Sequence, residues 1–142
     1  MRFMRGYFIL TIVLGFSTAG FGPAMAEDRT PAANRLVLFG AHWCAPCRAE
    51  AAILPALVGA AAPARVMVAW IDRPFALPAG LPPDRVVALP PAVAEGLAGQ
   101  VGGQGYGLPM AASFDGLGHV CAVRRRPVTP DDVATLLAAC RP

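Results

Sequence analysis

The chain has 142 residues and a formal charge of +3, and its length suits a single domain. Two of the positive charges, Arg2 and Arg5, lie in an N-terminal segment that we expect to be removed, which leaves the mature chain close to neutral. A nearly neutral chain gives nucleic-acid binding no electrostatic basis, so the composition excludes nucleic acid as an expected partner.

The N-terminus has the pattern of a secretory signal peptide. Arg2 and Arg5 precede an apolar run over residues 8–16, and a small-x-small motif ends at Ala26. Because this combination is typical of exported chains, we expect residues 1–26 to be cleaved off and the protein to be periplasmic. An uncleaved membrane anchor is the alternative, although the run is shorter than the ~20 apolar residues that a spanning helix needs.

A strand, a helix and a second strand follow an extended lead-in over residues 27–34. Apolar runs at Leu36–Phe39 and Arg65–Ile71 predict strands that are buried on both faces. Good helix formers between them predict a helix from Cys44 to about Ala61, which Pro55 should kink or interrupt. One side of this helix would carry Ile53, Leu54, Leu57 and Val58. The order strand, helix, strand is that of a parallel crossover unit.

The second half of the chain predicts a loop, a helix and a hairpin. Residues 75–91 are rich in proline, so we expect mostly loop there. A helix weakened by glycine would run over residues 91–101. The turn sequence at 115–118 joins two apolar segments, 110–114 and 119–125, and this arrangement indicates a β-hairpin.

A closing helix is predicted after residue 129. Thr129 offers an N-cap, and Pro130 suits the first helical position. Apolar residues then recur at helical spacing and should face the sheet. This stripe consists of Val133, Leu136, Leu137 and Cys140. The whole order predicts an α/β domain over residues 35–142, in which helices flank a mixed sheet of four strands.

Two cysteines, Cys44 and Cys47, lie at the junction between the first strand and its helix. The first sulfur is therefore at a helix N-terminus, where unpaired N–H groups and the helix dipole favour an anion. Because the thiolate is the reactive form of cysteine, this position indicates a redox-active pair. A zinc site would need two further ligands at suitable spacing, and Cys121 and Cys140 are isolated in the sequence.

Three sequence features resemble those of the exported thioredoxin-like thiol-disulfide oxidoreductases. They are the closing helix, the segment Gly107-Leu108-Pro109 ahead of the hairpin, and Trp43-Cys44-Ala45-Pro46-Cys47 followed by Arg48. The resemblance extends from about Arg35 to the C-terminus and implies the thioredoxin fold. It also implies a trimmed core, since the chain before Arg35 is too short for the N-terminal strand and helix of full thioredoxin.

The resemblance implies a role for each residue of the site. Cys44 would attack a disulfide of a protein substrate, and Cys47 would resolve the resulting mixed disulfide. Pro109 would follow a cis peptide bond beside the pair, and the backbone of Leu108 would bind the substrate as an added strand. The substrate-binding surface would consist of Trp43, Pro46 and Leu108. Neither a metal nor a cofactor is expected.

The chain departs from thioredoxin at two positions near the site. Thioredoxin has a buried acid where this chain has Leu38, and a lysine where it has Trp70. Proton transfer to and from Cys47 then needs water or another group, for which Glu50 is a candidate.

The direction of electron flow is open in the sequence. The uncharged pair Ala45-Pro46 favours a reductant or a disulfide exchanger, supplied with electrons by a membrane-linked partner, although His42 and Arg48 would lower the Cys44 pKa. A disulfide-forming oxidant is one alternative. A copper-binding metallochaperone is another, with ligands drawn from Cys44, Cys47, His42, Met110 and His119.

Two further groups of residues have more than one interpretation. Cys121 and Cys140 would form a second disulfide worth roughly 3 kcal/mol, or remain two buried thiols. The run Arg124-Arg125-Arg126 is interpreted as a solvated strand end, with a docking patch for an acidic partner as the alternative.

Overall fold

The computed structural model describes residues 34–141, in which strands and helices alternate as the apolar patterns require. The predicted signal peptide lies outside these residues. Among the described residues, no helix is long and apolar enough to cross a membrane. In chain order the elements are β1 (Arg35–Gly40), α1 (Ala45–Ala52), α2 (Leu54–Ala60), β2 (Arg65–Trp70), β3 (Val86–Ala88), α3 (Pro91–Gly102), β4 (Met110–Phe114), β5 (Val120–Arg124) and α4 (Pro130–Ala138).

The strands form one mixed sheet in the order β3-β2-β1-β4-β5. β1 pairs in parallel with β2, and β2 with β3, whereas β4 is antiparallel to both β1 and β5. Phe39 near the end of β1 lies opposite Met110 at the start of β4. The segments that follow β1 and precede β4 therefore meet at one end of the sheet, here called the redox end. The turn between β4 and β5 lies at the opposite end, where Arg35 pairs with Phe114.

Both faces of the sheet are buried, as the continuous apolar runs predict. On β1, Leu36 and Leu38 belong to a cluster with residues of α2 and α4, whereas Val37 and Phe39 pack on the other side with alanines of α3. Successive side chains of a strand point to opposite faces, so one apolar run fills two cores. This α/β arrangement confirms the predicted mixed sheet with helices on both sides.

The first predicted helix is divided into two. α1 ends at Ala52 and α2 begins at Leu54, so Pro55 lies in the first turn of α2. There its missing N–H costs no hydrogen bond, which explains the interruption that Pro55 predicts. The expectation that Ile53 shares the apolar face is wrong. It lies between the two helices with 41% of its surface exposed, whereas Leu54, Leu57 and Val58 are buried.

The sheet has a fifth strand where the sequence predicted a loop. β3 is only three residues long and pairs with β2 through Val66 and Val86. A strand this short carries no alternation that could separate it from a proline-rich loop. The predicted number of four strands is therefore too low by one edge strand.

The remaining elements follow their sequence signals closely. α3 spans Pro91–Gly102 and β4 spans Met110–Phe114, within one residue of the predictions. α4 begins with the predicted cap, since Thr129 Oγ1 accepts a hydrogen bond from the Asp132 N–H and Asp132 Oδ2 accepts one from the Thr129 N–H. Val133 and Leu136 of its apolar stripe are buried against the sheet.

Candidate redox site

The cysteine pair lies where β1 passes into α1. Cys44 is the N-cap of α1 in an extended conformation, and its Sγ accepts a hydrogen bond of 3.2 Å from the Cys47 N–H. The two residues form a disulfide with Cα atoms 5.3 Å apart. When this bond is reduced, the helix N–H groups and dipole would stabilise a thiolate on Cys44.

Both cysteines of the pair are almost fully buried. Cys44 is the more exposed of the two, but only 5% of its surface is accessible, against 2% for Cys47. The residues beside Cys44 are open to solvent: Trp43 exposes 68% of its surface, and Ala45 and Pro46 are also exposed. The exposed surface next to Cys44 is therefore formed by Trp43 and the first turn of α1.

Three side-chain contacts hold the loop that carries Cys44. The His42 N–H donates to Asp72 Oδ2 at 2.9 Å, and His42 Nδ1 donates to Asp72 Oδ1 at 3.0 Å. On the other side, Arg48 Nη1 donates to the His42 carbonyl at 2.6 Å. Desolvation acts to raise the pKa of Asp72, but the hydrogen bonds from the His42 side chain and backbone outweigh it and leave the pKa below its ordinary value.

Trp70 lines the same small cavity as Cys47. Its indole is 5% exposed and packs against Phe75, with ring centroids 4.6 Å apart, and edge-to-face against His42 at 4.3 Å. A Cβ on Gly40 would lie 2.9 Å from Trp70 Nε1 and 3.1 Å from Cys47 Cβ. Glycine at position 40 therefore leaves room for both the tryptophan and the second cysteine.

Glu50 lies one helical turn after Cys47 and is buried, with 6% of its surface exposed. It shares a small cavity with the second cysteine. The cavity is lined by Leu38, Cys47, Glu50, Ala51, Leu54, Val68 and Trp70. Burial raises the pKa of Glu50 to about 7, and a hydrogen bond of 2.8 Å from the Val128 N–H to Oε1 partly opposes this rise. A buried acid thus lies beside Cys47, supplied by α1 rather than by β1.

The loop before β4 reaches the same end of the sheet. The Leu108–Pro109 peptide bond is cis, and Pro109 directly precedes Met110, which pairs with Phe39. Leu108 is partly buried against the cluster that includes both cysteines. The backbone at Leu108 and Pro109 therefore lies at the redox end.

The structure does not bring together the ligands of the copper interpretation. His119 follows the β4–β5 turn at the opposite end of the sheet, where its Nδ1 donates to Asp115 Oδ2 at 3.0 Å. Met110 is fully buried in the cluster around α3. Within residues 34–141, no group of three or more His, Cys, Asp or Glu side chains has an arrangement that could hold a metal ion.

The other two cysteines form a second disulfide. Cys121 in β5 is bonded to Cys140, 19 residues later and just beyond the C-terminus of α4. Because β5 begins opposite Phe114, this bond lies at the end of the sheet away from Cys44. It fastens the closing helix to the edge of the sheet.

The arginine run is largely occupied by internal contacts. Arg124 Nη1 lies 2.8 Å and Arg126 Nη2 lies 3.2 Å from Asp132 Oδ1. Arg125 Nη2 donates to the Gly102 carbonyl at 3.2 Å. These contacts favour the interpretation of a solvated strand end over that of a docking patch.

Sequence reasoning missed Asp72 and Phe75 as parts of the site. Asp72 lies between the second predicted strand and the proline-rich loop, and Phe75 begins that loop. The contact between Asp72 and His42 joins residues 30 positions apart, and no local spacing rule predicts such a pair. An apolar aromatic residue within a proline-rich loop was the one available signal for Phe75.

No protein-family model matches the chain, and no curated protein matches it either. Solved structures do resemble it. StoA from Bacillus subtilis is 12% identical, with a TM-score of 0.54 over 74% of this chain and 82% of its own. MTB dsbF is 18% identical, with a TM-score of 0.52 over 78% and 82%.

A third structure, a thiol:disulfide interchange protein of the thioredoxin family from Chlorobium tepidum TLS, is 22% identical, with a TM-score of 0.50 over 76% of this chain and 79% of its own. Similarity at this level of identity bears on the fold. The mixed sheet, the cysteine pair that follows its central strand and these structural neighbours lead to one conclusion: residues 34–141 have the thioredoxin fold.

Proposed function

We propose that the protein is an exported thiol-disulfide oxidoreductase that reduces or exchanges disulfides of protein substrates through Cys44 and Cys47. The observation that carries the proposal is the location of Cys44 Sγ at the N-cap of α1, within 3.2 Å of the Cys47 N–H. A sulfur at this position is stabilised as a thiolate and serves as both nucleophile and leaving group.

The reaction begins with the reduced pair. The Cys44 thiolate attacks one sulfur of a substrate disulfide, the substrate S–S bond breaks, and one substrate sulfur leaves and takes up a proton. The thiolate of Cys47 then attacks Cys44 Sγ in the mixed disulfide and releases the second substrate sulfur. The substrate gains two electrons and two protons, and the protein is left with the Cys44–Cys47 disulfide.

Glu50 is proposed to accept the proton of Cys47 in the second step. It lies one helical turn from Cys47 and lines the same buried cavity. With a pKa of about 7, its carboxyl group is poised to accept or return a proton near neutral pH. Glu50→Gln should therefore slow the release of the second substrate sulfur about tenfold or more and remove its pH dependence near pH 7.

The substrate is proposed to bind across Trp43, Pro46 and the backbone at Leu108. Trp43 and Pro46 are exposed beside Cys44. A polypeptide added as a strand beside the Leu108–Pro109 segment would lie at the same end of the sheet as Cys44. The cis bond before Pro109 is compatible with this arrangement.

Variants of single cysteines test the assignment of roles. In reduced Cys47→Ser protein, Cys44 should capture a substrate as a mixed disulfide that accumulates, which non-reducing electrophoresis detects. Cys44→Ser protein should form no such adduct and should not reduce insulin. Protein in which both Cys121 and Cys140 are serine is the matched control and should keep its activity. Full insulin reduction by Cys44→Ser protein would overturn the proposal.

A glutathione redox titration tests the direction of electron flow. We propose a reductant or disulfide exchanger that receives electrons from a membrane-linked partner, because Ala45 and Pro46 add no charge that would stabilise the thiolate further. A potential of about −270 mV, the value for thioredoxin, supports this direction. A potential of about −120 mV, the value for the strong oxidant DsbA, would make the protein a disulfide-forming enzyme.

A periplasmic location after cleavage at Ala26 is also part of the proposal. It rests on the basic, apolar and small-residue pattern of residues 1–26. Mass spectrometry of protein recovered from the periplasm should give a chain that begins at Glu27. A full-length chain recovered with membranes would instead support the uncleaved anchor.

A further inference from the structure

Two exposed arginines beside Cys44 carry an inference about the substrate. Arg48 lies in the first turns of α1 and Arg73 follows Asp72 in the loop after β2, and both are exposed. Arg48 Nη1 donates to the carbonyl of His42, two residues before Cys44. The Arg73 N–H donates to Asp72 Oδ1, and the same carboxylate binds His42. The Arg48 side chain therefore bonds the loop that carries Cys44, and Arg73 is the neighbour of the acid that holds this loop.

The charges of Arg48 and Arg73 are not neutralised within the described part of the chain. Among residues 34–141, no carboxylate oxygen lies within 4.0 Å of either guanidinium group, since every ion pair there involves other residues. Asp72, the nearby acid, accepts hydrogen bonds from His42 and from its neighbouring backbone. The loop around Cys44 thus has two arginine charges against the single carboxylate of Asp72, which leaves a net positive charge for a partner.

The arginine run at the end of β5 provides a contrast. Arg124 and Arg126 share Asp132, and Arg125 binds the Gly102 carbonyl. These three consecutive arginines have one carboxylate among them, and each guanidinium group is held by a contact within the chain. Arg48 and Arg73 have no carboxylate within ion-pair distance, and both belong to segments that are bonded to the loop before Cys44.

From this arrangement we infer that the protein selects disulfides that are flanked by acidic residues. Arg48 and Arg73 attract the carboxylates of the substrate chain, while the exposed Trp43 supplies an apolar contact beside the sulfur. The inference rests on the proposed function and adds a substrate class to it. Exposed charges several ångströms apart in water change a rate by roughly threefold per arginine, and salt weakens the effect.

Matched disulfide peptides test this selectivity. Three peptides with the same cystine core, flanked by glutamate, serine or arginine, are reacted with the reduced protein, and each second-order rate constant is divided by that for neutral hydroxyethyl disulfide. At low salt the glutamate peptide should react roughly tenfold faster than the serine peptide, and the arginine peptide slower than both. This order should disappear at about 1 M salt, where the Debye length is near 3 Å.

Substitutions assign the selectivity to the two arginines. Arg48→Gln and Arg73→Gln should each lower the glutamate-to-serine ratio roughly threefold, and the double variant should bring it close to one. Arg65→Gln is the matched control, because Arg65 is exposed at the opposite end of the sheet, and it should keep the wild-type ratio. A wild-type ratio near one, or a double variant that retains the preference, would overturn the inference.

A binding measurement separates this inference from the proposed reaction. If the reduced protein reacts with none of the disulfides, the proposed function fails, and the oxidised protein is then titrated with dye-labelled, cysteine-free glutamate and arginine peptides. Preferential binding of the glutamate peptide that is lost in the double variant supports the acidic specificity on its own. Equal binding of both peptides contradicts it.

Discussion

At the scale of single residues, the site depends on a glycine that makes room for a tryptophan. Gly40 ends β1, and its missing side chain allows Trp70 and Cys47 to approach its backbone. Trp70 and Cys47 line one small cavity. The second cysteine therefore has an apolar neighbour on one side and the Glu50 carboxyl on another.

Gly40→Ala should destabilise the protein by about 1–3 kcal/mol, because the added methyl group overpacks a buried site. It should also alter the redox potential, since Trp70 and Cys47 must both shift. Chemical denaturation and a glutathione titration measure the two effects. Gly59→Ala is the matched control: nothing lies within 4 Å of a Cβ there, and alanine in a helix should stabilise by roughly 0.5–1 kcal/mol.

Glu50 makes the stability depend on pH. Its pKa is about 7 in the folded protein and 4.5 ordinarily, so the folded state keeps its proton up to a higher pH than the unfolded state does. Stability is therefore highest below pH 4.5 with respect to this group and falls as the pH rises through 7. The loss is roughly 3 kcal/mol for a shift of this size.

Glu50→Gln should remove this pH dependence, because glutamine keeps an oxygen acceptor for the Val128 N–H but does not titrate. Urea unfolding of the oxidised proteins between pH 4 and pH 8 measures the difference between wild type and variant. Both histidines are common to the two proteins and cancel in that difference. A constant difference across the range would contradict the assignment of the raised pKa to Glu50.

At the scale of elements, α4 is fixed at both ends by contacts outside the helix interior. Its N-terminus has the reciprocal bonds between Thr129 and Asp132, and its C-terminus leads to the disulfide at Cys140. In its middle, the Ser113 hydroxyl of β4 donates to the Leu136 carbonyl at 2.7 Å. The helix therefore packs as a fixed cover over β4, β5 and the central strand.

Thr129→Ala should cost about 1 kcal/mol of unfolding free energy, since it removes the side-chain acceptor at the N-cap. Thr135→Ala is the control on the same helix. Thr135 is exposed in the helix interior, where alanine is the better helix former, so this change should be neutral or slightly stabilising. Equal losses in both variants would indicate that the cap contributes nothing specific.

At the scale of the whole molecule, the two disulfides occupy opposite ends of the fold and opposite ends of helices. Cys44 lies at the N-terminus of α1, where the helix dipole favours a thiolate, whereas Cys140 lies just beyond the C-terminus of α4, where the dipole disfavours one. The position of Cys44–Cys47 therefore suits thiol-disulfide exchange, and that of Cys121–Cys140 suits a structural disulfide.

Graded reduction of the native protein should open Cys44–Cys47 first. The reductant concentration at the midpoint should be lower by about tenfold or more than for Cys121–Cys140, which corresponds to a difference of about 1.4 kcal/mol. Alkylation followed by peptide mass spectrometry identifies which cysteines are free at each step. Earlier or simultaneous release of Cys121 and Cys140 would contradict the assignment of a structural role to that bond.

Local signals account for what the sequence could predict. The strand runs, the cap at Thr129, the interruption at Pro55 and the position of the cysteine pair each depend on residues close together in the chain. The contacts of His42 with Asp72 and of Trp70 with Phe75 depend instead on how the loop after β2 folds back. β3 is not predictable from the sequence, because three residues among prolines give no periodic pattern. The exposure of Ile53 is not predictable either, because it depends on the residue at which the first helix breaks.

The short edge strand β3 determines how readily the sheet could pair with a strand of another molecule. A long, flat edge with free N–H and C=O groups invites a strand from another molecule, which is a route to aggregation. β3 offers only three residues, and Pro82, Pro83, Pro90 and Pro91 flank it. Because proline cannot donate a ladder hydrogen bond, this border of the sheet resists extension by a foreign strand.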